Sequence, residues 1–242
     1  METYQHISSA FDRDLEGIQA KILKMGGLVE VAIRDGSISL ENRDIELAEK
    51  VRAGDKVIDA MEEALNAEAA RVIALRAPTA IDLRVILSVM RMSANLERIG
   101  DLAKNMAKRT SVLVEMPNID GASHSLRRMA REIEVMLKDA LDSYIQRDEA
   151  LALDVIDRDS EIDQMYNTLF REFLTFMLED PRNITACMHL HFIAKNMERM
   201  GDHVTSIAEQ VVFLTSGRRP EEARDKQDET STDAALSTPL TD

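Results

Sequence analysis

The chain repeats itself, and that duplication limits its fold more than any other feature. EVAIRDGSISLENRDIELAEKV, beginning at Glu30, aligns with EVMLKDALDSYIQRDEALALDV, beginning at Glu134, at a constant offset of 104 residues. The offset carries Asp44 onto Asp148, Val51 onto Val155, Asp55 onto Asp159 and Asp59 onto Asp163. Further along it falls to 101, where NLERIGDLAKNMA at Asn95 lies over NMERMGDHVTSIA at Asn196. A change of three residues between aligned blocks belongs in a turn between elements, where insertions are cheap. One structural unit therefore occurs twice.

Each unit reads as three helices. Phe11, Leu15, Ile18, Ile22, Met25 and Val29 follow at steps of four and three, the seam of an amphipathic helix. Asp44 is a natural N-cap for a second helix that runs to about Arg76 through Val51, Ile58, Met61, Leu65 and Val72. Pro78 opens a third, lasting to about Val114 with Val85, Val89, Met92, Leu96, Ile99 and Ala103 as its core seam. Residues 115–123 (EMPNIDGAS) collect Pro, Asn, Asp, Gly and Ser between periodic segments and read as a linker. The plan then returns: Met129, Ile133, Met136 and Ala140 begin a fourth helix, Asp148 caps a fifth, and Pro181 opens a sixth that ends near Gly217. Short connections between long helices make neighbours antiparallel. The expectation is an all-α protein of six long helices and no sheet, arranged as two tandem pseudo-symmetric three-helix bundles over 1–114 and 124–216. Residues 217–242 lack apolar periodicity and are rich in charge, Ser and Thr, so they are expected to form a disordered acidic tail.

Composition narrows the function classes. A formal net charge of -14 argues against nucleic acid, whose phosphates reward clusters of Lys and Arg. The single cysteine, Cys187, excludes an intramolecular disulfide and a Cys-rich zinc site, and fits a reducing compartment. No stretch approaches 18 apolar residues and the N-terminus has no apolar signal core, so the expected location is cytoplasmic, with peripheral membrane contact at most.

The duplicated acids carry the sharpest signal. Glu97 and Asp101, with their copies Glu198 and Asp202, stand four residues apart and so stack on one helical face. Asp55 and Asp59, with copies Asp159 and Asp163, do the same on the preceding helix. Like charges at this spacing cost about 0.2–0.5 kcal/mol per pair, and something cationic can offset them. Carboxylates on facing helices are how bundles build metal sites, and hard oxygen donors suit Mg, Mn, Ca or ferric iron. A solvated acidic face is the bland alternative, and on a helical wheel Glu97 and Asp101 flank the core seam rather than fill it. Gly100 and Gly201 sit inside the motif despite the cost of Gly in a helix, which points to a close approach of a neighbouring helix or to room for a ligand. Arg84, Arg91 and Arg98 recur every seven residues, and Arg199 repeats Arg98; they read as solvated charge or as an anion or partner contact. His203 follows Asp202, while His189 and His191 lie two turns or more upstream; none is a strong ligand candidate, and Cys187 reads as structural. No Gly-rich phosphate loop and no set of nucleophile, base and orienting group is recognisable, so a binding role is favoured over catalysis.

KMGGLVEVAI from Lys24, RAPTAIDLR from Arg76, NLERIGD from Asn95, TFMLEDPRNI from Thr175 and NMERMGDHVTSIAE from Asn196 resemble the PhoU family, regulators that accompany bacterial phosphate-specific ABC transporters. The likeness covers about residues 6–216. It implies a PhoU-like pair of three-helix bundles and metal ions, iron or Mg, Mn or Zn, on Asp55, Asp59, Glu97 and Asp101 and again on Asp159, Asp163, Glu198 and Asp202. It also implies a cytoplasmic homodimer that restrains phosphate uptake and the starvation response. The implied partners are the ATPase subunit of the phosphate ABC transporter and a phosphate-sensing histidine kinase, with membrane contact only through them. A carboxylate-bridged metalloenzyme and a metal-free helical scaffold are the alternative readings.

Overall fold

The computed structural model describes residues 2–78 and 80–218. They form α1 (Glu2–Asn42), α2 (Ile45–Arg76), α3 (Ala80–Leu113), α4 (Ala122–Gln146), α5 (Glu149–Asp157), α6 (Asp159–Glu179) and α7 (Ile184–Ser216), with a short 3-10 turn, Pro181–Asn183, before α7. No strand occurs among the described residues. The six expected helices are present, and the fifth is divided into α5 and α6. The division is one residue wide: Arg158 keeps right-handed helical dihedrals, but its N–H is shared between the carbonyls of Asp154 and Ile156. Of the expected tail, residues 219–242 lie outside the described residues.

Repeat-related turns use the same chemistry. Asp44 and Asp148 adopt extended backbone and accept hydrogen bonds from Leu47 N (3.0 Å) and Leu151 N (3.1 Å), satisfying an amide that the first helical turn leaves unpaired. Before each cap an arginine, Arg43 or Arg147, turns left-handed with φ of 55°. Arg43 also ties its turn to the far end of α3, donating through Nη2 to the carbonyls of Leu113, Val114 and Met116 at 2.6–2.7 Å.

The apolar seams define the packing. α1 and α7 each lie against both α3 and α4, so these four helices form the centre of the molecule. α2 covers α1 and α3 on one side, and α5 and α6 cover α4 and α7 on the other. Ile18, Ile22, Met25 and Val29 of α1, Met92, Leu96 and Ile99 of α3, and Met129, Ile133 and Met136 of α4 all belong to one continuous buried cluster. The two repeats therefore share a core. α3 and α7 run antiparallel: Asn95 meets His203 at one end of the pair and Arg109 meets His189 at the other.

Candidate functional site

Helical spacing sets the acids of each repeat on two packed helices, α2 with α3 in the first and α6 with α7 in the second. Gly100 explains how closely α2 and α3 approach. A Cβ there would lie 3.1 Å from Ile58 Cδ1 and 3.7 Å from Asp55 Oδ1. At Gly201 it would lie 3.2 Å from Ile162 Cγ2 and 3.5 Å from Asp159 Oδ1. Ile58 and Ile162 are repeat mates, so both glycines serve the same close contact beside the same aspartate.

That contact buries more of the acidic set than the helical wheel implies. Asp55, Asp159, Asp163 and Glu198 are only 3%, 8%, 5% and 4% exposed, because the neighbouring helix covers them. Glu97 retains 24% of its side-chain surface and Asp101 retains 36%. In the first repeat the four carboxylates feel one another. Burial first, then Asp101, raise the Glu97 carboxyl above its usual range. Burial first, then Asp55, do the same to Asp59.

Lys104, one turn beyond Asp101, answers this repulsion. Its ammonium donates to Asp55 Oδ2 at 2.5 Å and to Asp101 Oδ1 at 2.9 Å, bridging α2 and α3. Those hydrogen bonds, Asp55 first, raise the lysine well above its ordinary value. Asp55 Oδ1 remains buried and meets no donor among the described residues. The second repeat places Thr205 where the first has Lys104, and the Thr205 hydroxyl is turned to the Gly201 carbonyl at 3.0 Å. A different lysine serves there: Lys195, one turn before Glu198, reaches Glu198 Oε1 at 3.0 Å and lies 4.8 Å from the centre of the Tyr166 ring. Neither lysine belongs to the acidic motifs. The only signal for Lys104 in the sequence was a cation at i+3 from Asp101 where the aligned residue is neutral.

The donor chemistry of the acids fits a hard cation, and the buried, donorless oxygen of Asp55 fits one as well. Yet among the described residues no three Asp, Glu, His or Cys side chains close on one point as a bound ion requires. In the first repeat an ion would have to take the place of the Lys104 ammonium.

The remaining candidates occupy separate settings. Arg84 stacks on the Phe213 ring at 5.2 Å, Arg98 has Glu97 Oε2 at 3.6 Å, and Arg91 and Arg199 are exposed. His203 meets Asn95 Oδ1 at 2.9 Å across the α3–α7 contact, and His191 packs among Tyr166, Phe170 and Phe192. Cys187 is buried, which pushes its thiol pKa up and keeps it unreactive.

The raised carboxyls have a testable consequence. A carboxyl held above its unfolded pKa stabilises the fold when protonated, and stability is lost as pH rises through the ordinary carboxylate range to the raised value. Neutralising both groups with Asp59→Asn and Glu97→Gln should therefore stabilise the protein at pH 7, on the order of 0.5–1 kcal/mol. The gain should vanish near pH 4. Thermal unfolding at the two pH values checks this, and an equal gain at both would contradict it.

The chain matches the family described as PhoU domain twice, over residues 22–110 and 126–211. It is 44% identical over 230 residues to the phosphate-specific transport system accessory protein PhoU homolog of Rhizobium meliloti (strain 1021), covering 95% of this chain and 97% of that one. Among solved structures, PhoU from Pseudomonas aeruginosa superposes with a TM-score of 0.83 at 37% identity, covering 86% of this chain and all of that one. The phosphate transport system regulatory protein PhoU from Streptococcus pneumoniae superposes with a TM-score of 0.80 at 27% identity, covering 88% of this chain and all of that one.

Proposed function

Because this chain belongs to the PhoU family, we propose that it is an accessory protein of a phosphate-specific transport system, acting by binding and not by catalysis. The observation that carries this reading is the end-to-end match: both repeats fit the family, and a relative named for that role is covered over 97% of its length. Its task is to restrain phosphate uptake and starvation signalling from the cytoplasm, as a homodimer, through the ATPase subunit of the phosphate ABC transporter and a phosphate-sensing histidine kinase. No helix among the described residues is long and apolar enough to cross a membrane. In this reading, contact with the bilayer is made only through these partners.

A regulator must prefer one state of its partner, since equal affinity for two states shifts neither. With 44 acidic against 30 basic residues, the chain offers complementarity to basic surfaces. Metal ions (iron, Mg, Mn or Zn) would be held by Asp159, Asp163, Glu198 and Asp202 in the second repeat and by Asp55, Asp59, Glu97 and Asp101 in the first. Such an ion supplies positive charge that relieves repulsion among the acids and lowers the negative field facing a partner. The Lys104 bridge favours a second reading for the first repeat, a metal-free scaffold in which the ammonium already does this.

Surface-plasmon measurements with immobilised ATPase subunit or kinase cytoplasmic domain test the binding role. Association is expected with at least one of them. Its on-rate should fall several-fold between about 50 and 300 mM salt, because long-range attraction is screened. Absence of binding to both would contradict the reading.

A further inference from the structure

Where the C-terminal part of α3 crosses the N-terminal part of α7, a groove of about 380 Å³ is lined by Asn105, Lys108, Arg109, Val112, His189 and Asn196. No carboxylate lines it, in a chain whose acids outnumber its bases 44 to 30. Its polar lining is instead an ammonium, a guanidinium, an imidazole and two amides, all able to donate hydrogen bonds.

Two of these groups are fixed in advance. The Arg109 guanidinium lies 4.5 Å from the centre of the Phe192 ring and meets His189 Nδ1 at 3.1 Å. A guanidinium only donates, so Nδ1 accepts and the neutral imidazole carries its proton on Nε2 as a further donor. Burial first, and then Arg109, hold His189 below the usual histidine range, which keeps it in this neutral form. Side chains positioned before a ligand arrives spend less ordering entropy on binding it.

The duplication provides the control. At the offset of 101, Asn105 corresponds to Ser206, Lys108 to Glu209, Arg109 to Gln210, and His189 to Ser88. The same two helix segments pack at the repeat-related end without a Lys, Arg or His at any of these positions. The basic set is therefore no requirement of the fold. The related end does carry Arg91, at the position of Phe192, and Arg84 stacked on Phe213, but nothing basic stands in place of Lys108, Arg109 or His189.

We propose that this groove is a binding site for a phosphate group, held by the planar guanidinium fork of Arg109 and the ammonium of Lys108, with the amides of Asn105 and Asn196 and the His189 N–H as neutral donors. The cavity is roomier than one phosphate needs. The shared chemistry of free orthophosphate and of a nucleotide phosphate therefore defines the ligand. The site stands apart from the acidic pairs and does not depend on the accessory role, which its failure would leave untouched.

The test is isothermal titration of chelator-treated, full-length protein with inorganic phosphate and, separately, with ATP. The comparison protein carries Lys108→Glu, Arg109→Gln and His189→Ser, residues the repeat-related end already accommodates, with circular-dichroism melting to confirm its fold. Wild type is expected to bind at least one probe, and the triple variant to bind it at least tenfold more weakly. Lys108→Glu alone, at an exposed position, should weaken binding several-fold and serves if the triple variant unfolds. Binding of phosphate identifies the free ion as the ligand, and binding of ATP alone identifies a nucleotide. No binding of either probe to wild type, or affinity unchanged by the substitutions, overturns the proposal.

Discussion

Lys104→Met is expected to destabilise the protein by about 2 kcal/mol, lowering its melting temperature by roughly 4–8 °C. Asp55 is 3% exposed, and Lys104 is its one hydrogen-bond donor among the described residues, so the substitution strands a buried carboxylate. Breaking a fully buried pair costs about 3–5 kcal/mol. Lys104 keeps 39% of its side-chain surface, and water screens part of that loss. The linkage has a definite sign. A lysine raised above its unfolded pKa contributes fully below about pH 10.5 and loses that contribution only as pH rises through the folded value, so the whole deficit should appear at neutral pH.

The mechanism predicts more than a loss. Adding Asp55→Asn to Lys104→Met should recover most of the stability, since the stranded charge is gone; the two changes are coupled through direct contact. Mn²⁺ should stabilise Lys104→Met more than wild type, because the ion then competes with no ammonium. Denaturant unfolding of the four proteins of the cycle, with and without Mn²⁺, reads both effects. Additive losses and equal responses to Mn²⁺ would mean that Lys104 is ordinary surface charge.

The fold was legible because periodicity and punctuation agreed. The seam residues from Ile18 to Val29 and from Val89 to Ala103 are buried as their spacing required, and Asp44 and Asp148 cap as their positions suggested. The interruption at Arg158 was not legible, since nothing in the residues distinguishes a shared N–H from a continuing helix. Nor was the shared core: each repeat predicts its own seam, whereas contact between α3 and α7 depends on how two seams meet in space. At the site, the wheel placed Glu97 and Asp101 beside the core, and they are partly exposed there. It could not show that Gly100 and Gly201 let the adjacent helix close over Asp55 and Asp159. Lys104, Lys195 and the basic groove were not legible for a related reason. Duplication marks what the two halves share, while these residues stand where the halves differ.

The differences bear on function. A scaffold that only had to pack could have kept both ends of the α3–α7 contact alike, as it kept the capping aspartates. Instead the two ends set their basic side chains at different positions, and the two acidic sets take their lysines from different positions.

The central claim, that the chain restrains phosphate-starvation signalling by binding, is tested most directly in a strain lacking its gene and carrying a reporter on a phosphate-starvation promoter. In phosphate-rich medium the deletion should leave the reporter switched on, and the wild-type gene supplied in trans should silence it. The Glu97→Ala, Glu198→Ala variant should silence it only partly, because the acids at both sites are diminished. A reporter that stays fully repressed in the deletion strain would contradict the account, whatever the metal and anion titrations show.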